Sequence, residues 1–339
     1  MNVNLRATIL GFLAALAVLF LTFGFVGLGP IVDAVAMADP LVLAALPVVA
    51  AAWLVAWGLS LRVVLTVIGT PVRATTAVLV YLAATFANNV TPFGQAGGEP
   101  ITAYLIADVT RNEYETGLAA IASVDALNFV PSLSFAAIGI AYFAATAALG
   151  RHLRAAAVSL VVIAAALSAG LVLGWRYRSE VKDGLTDVLT PASRAFARLI
   201  PGRVPPSRFS VYARVDGFFA AVERIAADRE SLLLALSLAT LGWLALSTSL
   251  WLSIYALSPV DPVAFAATLI VIPIGSIASI TPLPGGLGGV ETVLITLLVA
   301  LGVNPVTAGA AVLLHRTTTY WLPTLLGGLV TATWGADAL

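Results

Sequence analysis

The sequence predicts an all-α polytopic membrane protein: an inverted repeat with two re-entrant helical hairpins and about six full spans. Three observations predict it. Apolar runs are long enough to cross a bilayer, charge is nearly absent inside them, and a glycine-rich, acid-bearing segment occurs twice. Of 339 residues, 60% are hydrophobic and 10% charged, and the mean hydropathy is +1.02, which excludes an ordinary soluble domain. The 17 Lys and Arg balance the 17 Asp and Glu, so total charge says nothing about nucleic-acid or acidic partners and the distribution of charge matters instead; no nucleic acid is expected as a partner.

The first span is expected over 7–29, behind Arg6; it exceeds a signal-peptide core in length and lacks a cleavage site, so it is expected to be retained. Further full spans are expected over 41–61, 117–142, 153–174, 231–257 and 305–333. Shorter arms at 73–88 and 99–110 flank one glycine loop, and arms at 262–280 and 291–302 flank the other. An arm of twelve residues makes only ~18 Å of helix, too little for a core of ~30 Å, so each pair is expected to enter the membrane and return. Irregular backbone at that depth must line a cavity or be buried in protein.

The two loops read as copies of one device. Asn88-Asn89-Val90-Thr91-Pro92-Phe93-Gly94-Gln95-Ala96-Gly97-Gly98-Glu99 and Ser279-Ile280-Thr281-Pro282-Leu283-Pro284-Gly285-Gly286-Leu287-Gly288-Gly289-Val290-Glu291 share Thr-Pro, a Gly-Gly pair and a following glutamate. At an offset of 192, Glu99 matches Glu291, Gly117 matches Gly309, and Pro131 matches Pro323. The whole chain, 1–339, is read as one membrane domain, with repeat 1 over 73–142 and repeat 2 over 262–333.

Between the repeats, 175–230 holds ten of the seventeen Lys and Arg. Pro191, Pro201, Pro205 and Pro206 punctuate it, and the spacings of Arg194, Phe196, Arg198 and Leu199, and of Phe218, Phe219, Val222 and Ile225, suit amphipathic surface helices. The positive-inside rule makes this loop and both termini cytoplasmic, with Asp33, Asp39 and Asp261 outside; Arg151 and Arg154 run against the rule. The hairpins then enter from opposite sides, as in alternating-access transporters. The expected location is a prokaryotic cytoplasmic membrane.

Glu99 and Glu291 are the leading candidates, since carboxyls at membrane depth usually face a cavity or a partner. Capping of a helix start explains them too, and Pro100 fits such a start. Gly97, Gly98, Gly288 and Gly289 stand before expected helix N-termini, where free amides hold anions; close helix packing is their other reading. Arg316 suits bidentate phosphate contact or neutralisation of Glu291. Asn88, Asn89, Thr91, Gln95, Thr281, Asp125 and Tyr320 add hydrogen-bonding groups, as does Asn128 beside Asp125. The tryptophans, Trp53, Trp57, Trp243 and Trp251 among them, are expected to form an interfacial belt. The chain has no cysteine, its His152 and His315 stand far apart, and nucleotide or zinc-protease motifs are absent, so no metal or cofactor is expected.

The loop at Asn88–Pro100, the run Pro282–Glu291, Asn304-Pro305, and Leu313-Leu314-His315-Arg316-Thr317-Thr318-Thr319-Tyr320-Trp321-Leu322-Pro323 resemble the lysylphosphatidylglycerol synthase transmembrane-region family. That resemblance implies a flippase-like protein whose partner is a phospholipid or a polyisoprenyl-phosphate-type lipid. The soluble aminoacyl-transferase part of the two-part enzymes has no counterpart after Trp334, so translocation without lipid aminoacylation is expected. The function read from the sequence is transbilayer movement of a phosphate-containing headgroup, with proton coupling through the glutamates as an option. Two other classes stay open: a membrane-embedded enzyme using the glutamates as acid and base, and a non-transporting subunit of a lipid or glycan pathway.

Overall fold

The computed structural model describes residues 13, 17–22, 24, 27–146, 173–174, 176–198, 207–258 and 263–337, and among them every regular element is helical. The expected span over 153–174 lies outside the described residues except for its last two positions, and that over 7–29 is described only in part. Arg151, His152, Arg154 and Asp261 also lie outside them.

Helix α1 (Leu28–Ala36) leads through Asp39 into α2 (Pro40–Val67), where Asp39 accepts the Leu41 N–H at 2.8 Å and Pro40 takes the first helical position. With α5 (Tyr114–Thr146) and α8 (Arg229–Leu257), α2 is one of three helices long and apolar enough to cross a membrane. These match three of the expected spans. Helices α2 and α8 form the most extensive helix pair. Small residues let their backbones approach and polar side chains lock the register: Ser60 donates to the Ala235 carbonyl at 3.3 Å, and the Trp57 indole donates to the Ala239 carbonyl at 3.1 Å.

Two broken helix pairs pack around this spine. In the first, α3 (Ala74–Val90) and α4 (Gln95–Thr110) lie against each other across a break at Thr91–Gly94. Phe93 and Gly94 hold φ of 66° and 54° there, so the chain turns within four residues. In the second, α9 (Phe265–Ile277) and α10 (Gly289–Ala300) flank a longer break containing two short 3₁₀ turns, Ala278–Ile280 and Pro284–Gly286. Helix α11 (Pro305–Arg316) then relaxes into a π turn over Thr317–Trp321 and continues as α12 (Leu322–Asp337). Helical backbone therefore covers the expected span over 305–333. The order short helix, break, short helix, long helix occurs twice. Each element of the second set starts within two residues of the position 192 beyond its counterpart.

Helices α6 (Arg178–Arg198) and α7 (Arg208–Ala227) occupy the expected amphipathic region. Exposed ion pairs join them, Arg178 with Glu223, Lys182 with Asp216 and Arg208 with Asp187, each at 2.8 Å. Val211, Val215, Phe219 and Ile225 are buried along α7, which packs against α5. The side chains of Arg194, Phe196 and Arg198 lie outside the described residues. Asp228 caps α8, and its bonds from Ser231 hold its carboxyl below the ordinary value.

Gly242 sits directly against the Trp57 indole, whereas a Cβ on Gly184 of α6 would meet nothing. Gly242→Ala is expected to cost ~1–3 kcal/mol through displacement of that ring. Gly184→Ala is expected to raise stability by up to ~1 kcal/mol. Unfolding of the purified variants in detergent checks both.

Candidate functional site

The two breaks touch. The Gly285 N–H donates to the Thr91 carbonyl at 3.2 Å, and the Tyr320 hydroxyl donates to the Asn89 carbonyl at 3.0 Å. In return the Asn89 amide donates to the Tyr320 carbonyl at 3.3 Å and to the Thr324 hydroxyl at 2.8 Å. Gly285 has φ of 54°, and a Cβ there would stand 2.7 Å from the Tyr320 ring and 2.8 Å from the Asn89 backbone. Only glycine suits that contact.

Beside this seam lies Glu291, 1% exposed, in the first turn of α10. Its Oε2 accepts the Gly288 N–H at 2.6 Å and its Oε1 accepts Arg316 Nε at 2.6 Å. The guanidinium also lies over the Tyr320 ring, 4.4 Å from its centroid. Arg316 Nη2 is buried and has no hydrogen-bond partner among the described residues. The π turn begins at the next residue, a local widening that often accompanies functional positions. The hydroxyls of Thr317, Thr318 and Thr319 return to carbonyls one turn back on the same helix, and His315 pairs with Ser249 at 3.0 Å.

Arg316 borders a cavity of about 540 Å³, a size in the range of small-ligand sites. Of the expected residues, Asn88, Asn89, Gln95, Asp125 and Arg316 line it, together with Asn128. Glu99 and Glu291 stand one layer back. Glu291 reaches the cavity through Arg316, and Glu99 stands beside Asp125, which lines it.

Several expectations are corrected. Gly97 and Gly98 do not precede a helix: α4 starts at Gln95, because the turn at Gly94 closes early, and their N–H groups donate to the Gly94 carbonyl. They are packing residues, Gly97 against Pro92 and Gly98 against Asn88. Glu99 consequently lies in the second turn of α4 and caps nothing, and Pro100 lies inside the helix. Gly288, with φ of 88°, is the residue before α10 and Gly289 opens that helix, but the Gly288 N–H is taken by the chain's own Glu291 carboxylate. Thr91 turns back to the Ala87 carbonyl at 2.8 Å, and Thr281 packs against Gly289. Trp53, Trp57 and Trp243 are not interfacial; they are buried, meet edge to face around Trp57, and line the cavity with Tyr81. Tryptophan's preference for interfaces hid them, and their placement within α2 and α8 was the available signal.

A family model described as "Lysylphosphatidylglycerol synthase TM region" matches residues 8–327, a stretch that contains both breaks and Arg316. The chain belongs to the lysylphosphatidylglycerol synthase transmembrane-region family. It is an integral membrane protein. Within that family it is similar to a UPF0104 membrane protein of Methanothermobacter thermautotrophicus, 29% identical over 336 residues, covering 96% of this chain and 92% of the relative. A second UPF0104 membrane protein from that organism is 25% identical over 312 residues, 89% of this chain and 88% of its own length. One from Pyrococcus horikoshii is 26% identical over 251 residues, 72% of each chain.

In this family member the Glu291–Arg316 pair is expected to behave as a buried unit. Glu291→Leu or Arg316→Leu alone leaves one buried charge unpaired and is expected to cost ~3 kcal/mol or more. The double variant is expected to cost clearly less than the two singles together, as a double-mutant cycle in detergent would measure.

Proposed function

We propose that the protein moves a phosphate-bearing lipid headgroup across the bilayer by alternating access. In this reading α3/α4 and α9/α10 are re-entrant pairs entering from opposite faces, the halves form an inverted repeat, and the loop over 175–230 and both termini are cytoplasmic. The observation that carries it is Arg316. A guanidinium fixed on one side by Glu291 keeps a buried nitrogen without a hydrogen-bond partner among the described residues, beside a cavity where the two broken pairs touch. A guanidinium so placed suits a phosphate oxygen, while lipid tails remain in the bilayer.

The neighbouring carboxyls of Glu99 and Asp125 supply the coupling step. Loss or gain of a proton on this pair changes the charge of the cavity wall, and among the described residues Tyr81 stands near Asp125 and Tyr114 near Glu99. A phospholipid or a polyisoprenyl-phosphate-type lipid fits this description, and the family's description, a lysylphosphatidylglycerol synthase membrane region, supports a lipid. No aminoacyl transfer is assigned to these residues.

Reconstituted vesicles containing either fluorescent phosphatidylglycerol or a polyprenyl phosphohexose test the reading. Transfer between leaflets is expected with at least one of these lipids. It is expected to fall at least about tenfold in Arg316→Lys, which keeps the charge but loses the planar fork. Glu99→Gln is expected to remove the response to an imposed pH gradient. Transfer no faster than in protein-free vesicles with both lipids contradicts the proposal.

A further inference from the structure

Arg316 is not alone in the cavity wall. Trp53 Nε1 on α2, Trp243 Nε1 on α8, and both amide atoms of Asn128 on α5 are buried without a hydrogen-bond partner among the described residues, and all three side chains border the same cavity. Asn128 is 7% exposed, Trp53 7% and Trp243 6%, so these groups belong to the interior and not to a solvated rim. Buried polar groups without partners are uncommon, and their convergence from separate helices marks a place built to be completed by something else.

The chemistry of the set identifies that partner. With Arg316 Nη2 and Asn88 it offers four donor atoms, the two indole nitrogens, Asn128 Nδ2 and the guanidinium nitrogen, against two acceptors, Asn128 Oδ1 and Asn88 Oδ1. An ammonium group has only donors and satisfies none of the four. A phosphodiester alone satisfies donors but leaves both amide oxygens unpaired. Hydroxyl groups both accept and donate, and phosphate oxygens complete the guanidinium. The aromatic faces agree: Trp57 is enclosed by Trp53, Tyr81 and Trp243 at ring centroid separations of 5.7, 6.0 and 5.7 Å, and Phe129 adds a further aromatic side chain to the wall. The C–H faces of a sugar or polyol lie well against such a wall.

We infer that the cavity holds the sugar part of a glycosyl-phosphate headgroup, with Asn128, Trp53 and Trp243 bonding its hydroxyls and Arg316 its phosphate. This rests on the reading of the cavity as the headgroup site and adds the class of headgroup. Selectivity then comes from the amide and indoles, since a site built to bond hydroxyls rejects ligands that lack them. Arg316 sets only the requirement for phosphate.

Calorimetric titration of the purified full chain in detergent tests this with glucose 1-phosphate, phosphoethanolamine and inorganic phosphate as probes. Glucose 1-phosphate is expected to bind at least about tenfold more tightly than either of the others. Asn128→Leu is expected to reduce it to the level of inorganic phosphate while leaving inorganic phosphate binding unchanged. The same substitution removes an unpaired buried amide, so the unfolding midpoint of the ligand-free protein is expected to rise. Trp53→Phe provides a second variant with the same expected loss of preference. Equal affinity for the three probes, or tighter binding of phosphoethanolamine, overturns the inference and leaves translocation standing. Binding of none overturns both the inference and the Arg316 site. Tight glucose 1-phosphate binding without lipid transfer in vesicles removes the translocase reading but keeps the ligand class.

Discussion

Both oxygens of the Glu291 carboxylate are committed, one to the backbone N–H of Gly288 and the other to the side chain of Arg316. The first bond fixes where α10 begins, inside a region where backbone groups have few alternatives. The second aims the guanidinium, which lies over Tyr320, and Tyr320 in turn bonds the Asn89 carbonyl across the seam. One buried charge pair thus connects the second break to the first. A pair so placed is a weak source of net stability, because removing two charges from water offsets most of their attraction. What it supplies is position: a cation held in a wall that apolar side chains alone could not orient.

The two copies share an element order but have separate chemistry. In the second, the acid is answered by an arginine; in the first, Glu99 meets another acid, Asp125, on the long helix that follows. Arg316 and Asp125 occupy equivalent long elements of the two sets, α11 and α5. The recurring element order thus brings a fixed cation and, separately, the carboxyl of Asp125 to the wall of one cavity. In the proposed carrier, Arg316 takes the anion and the carboxyls take the change of charge.

Much of this was legible in the sequence because it rests on periodicity and on rare residues. The apolar runs at 41–61, 117–142 and 231–257 fall within α2, α5 and α8, and the offset of 192 anticipated the recurrence of the broken pairs. Arg316 and Glu291 stood out since charges in such surroundings are few, and their pairing was one of the two readings available. The helix start at Gln95 was missed, because a φ of 54° at Gly94 is invisible in a run of several glycines, any of which could turn the chain. The buried aromatic cluster was missed for a different reason. Trp57 and Trp243 lie 186 residues apart, and only the packing of α2 on α8 brings them together. Nor could local pattern reveal that Asn128 has no partner among the described residues, since that depends on every helix around it.

The central claim is that Arg316 presents a phosphate site inside the protein at the seam of the two broken helix pairs. The most direct measurement is cryo-electron microscopy of the protein in nanodiscs made with a lipid extract containing glycosylated and unglycosylated phospholipids. The account predicts phosphate density within hydrogen-bonding distance, ~3 Å, of Arg316 Nη2, with headgroup density extending toward Asn128. A cavity filled only by acyl chains, with every phosphate at the membrane surface, would contradict it.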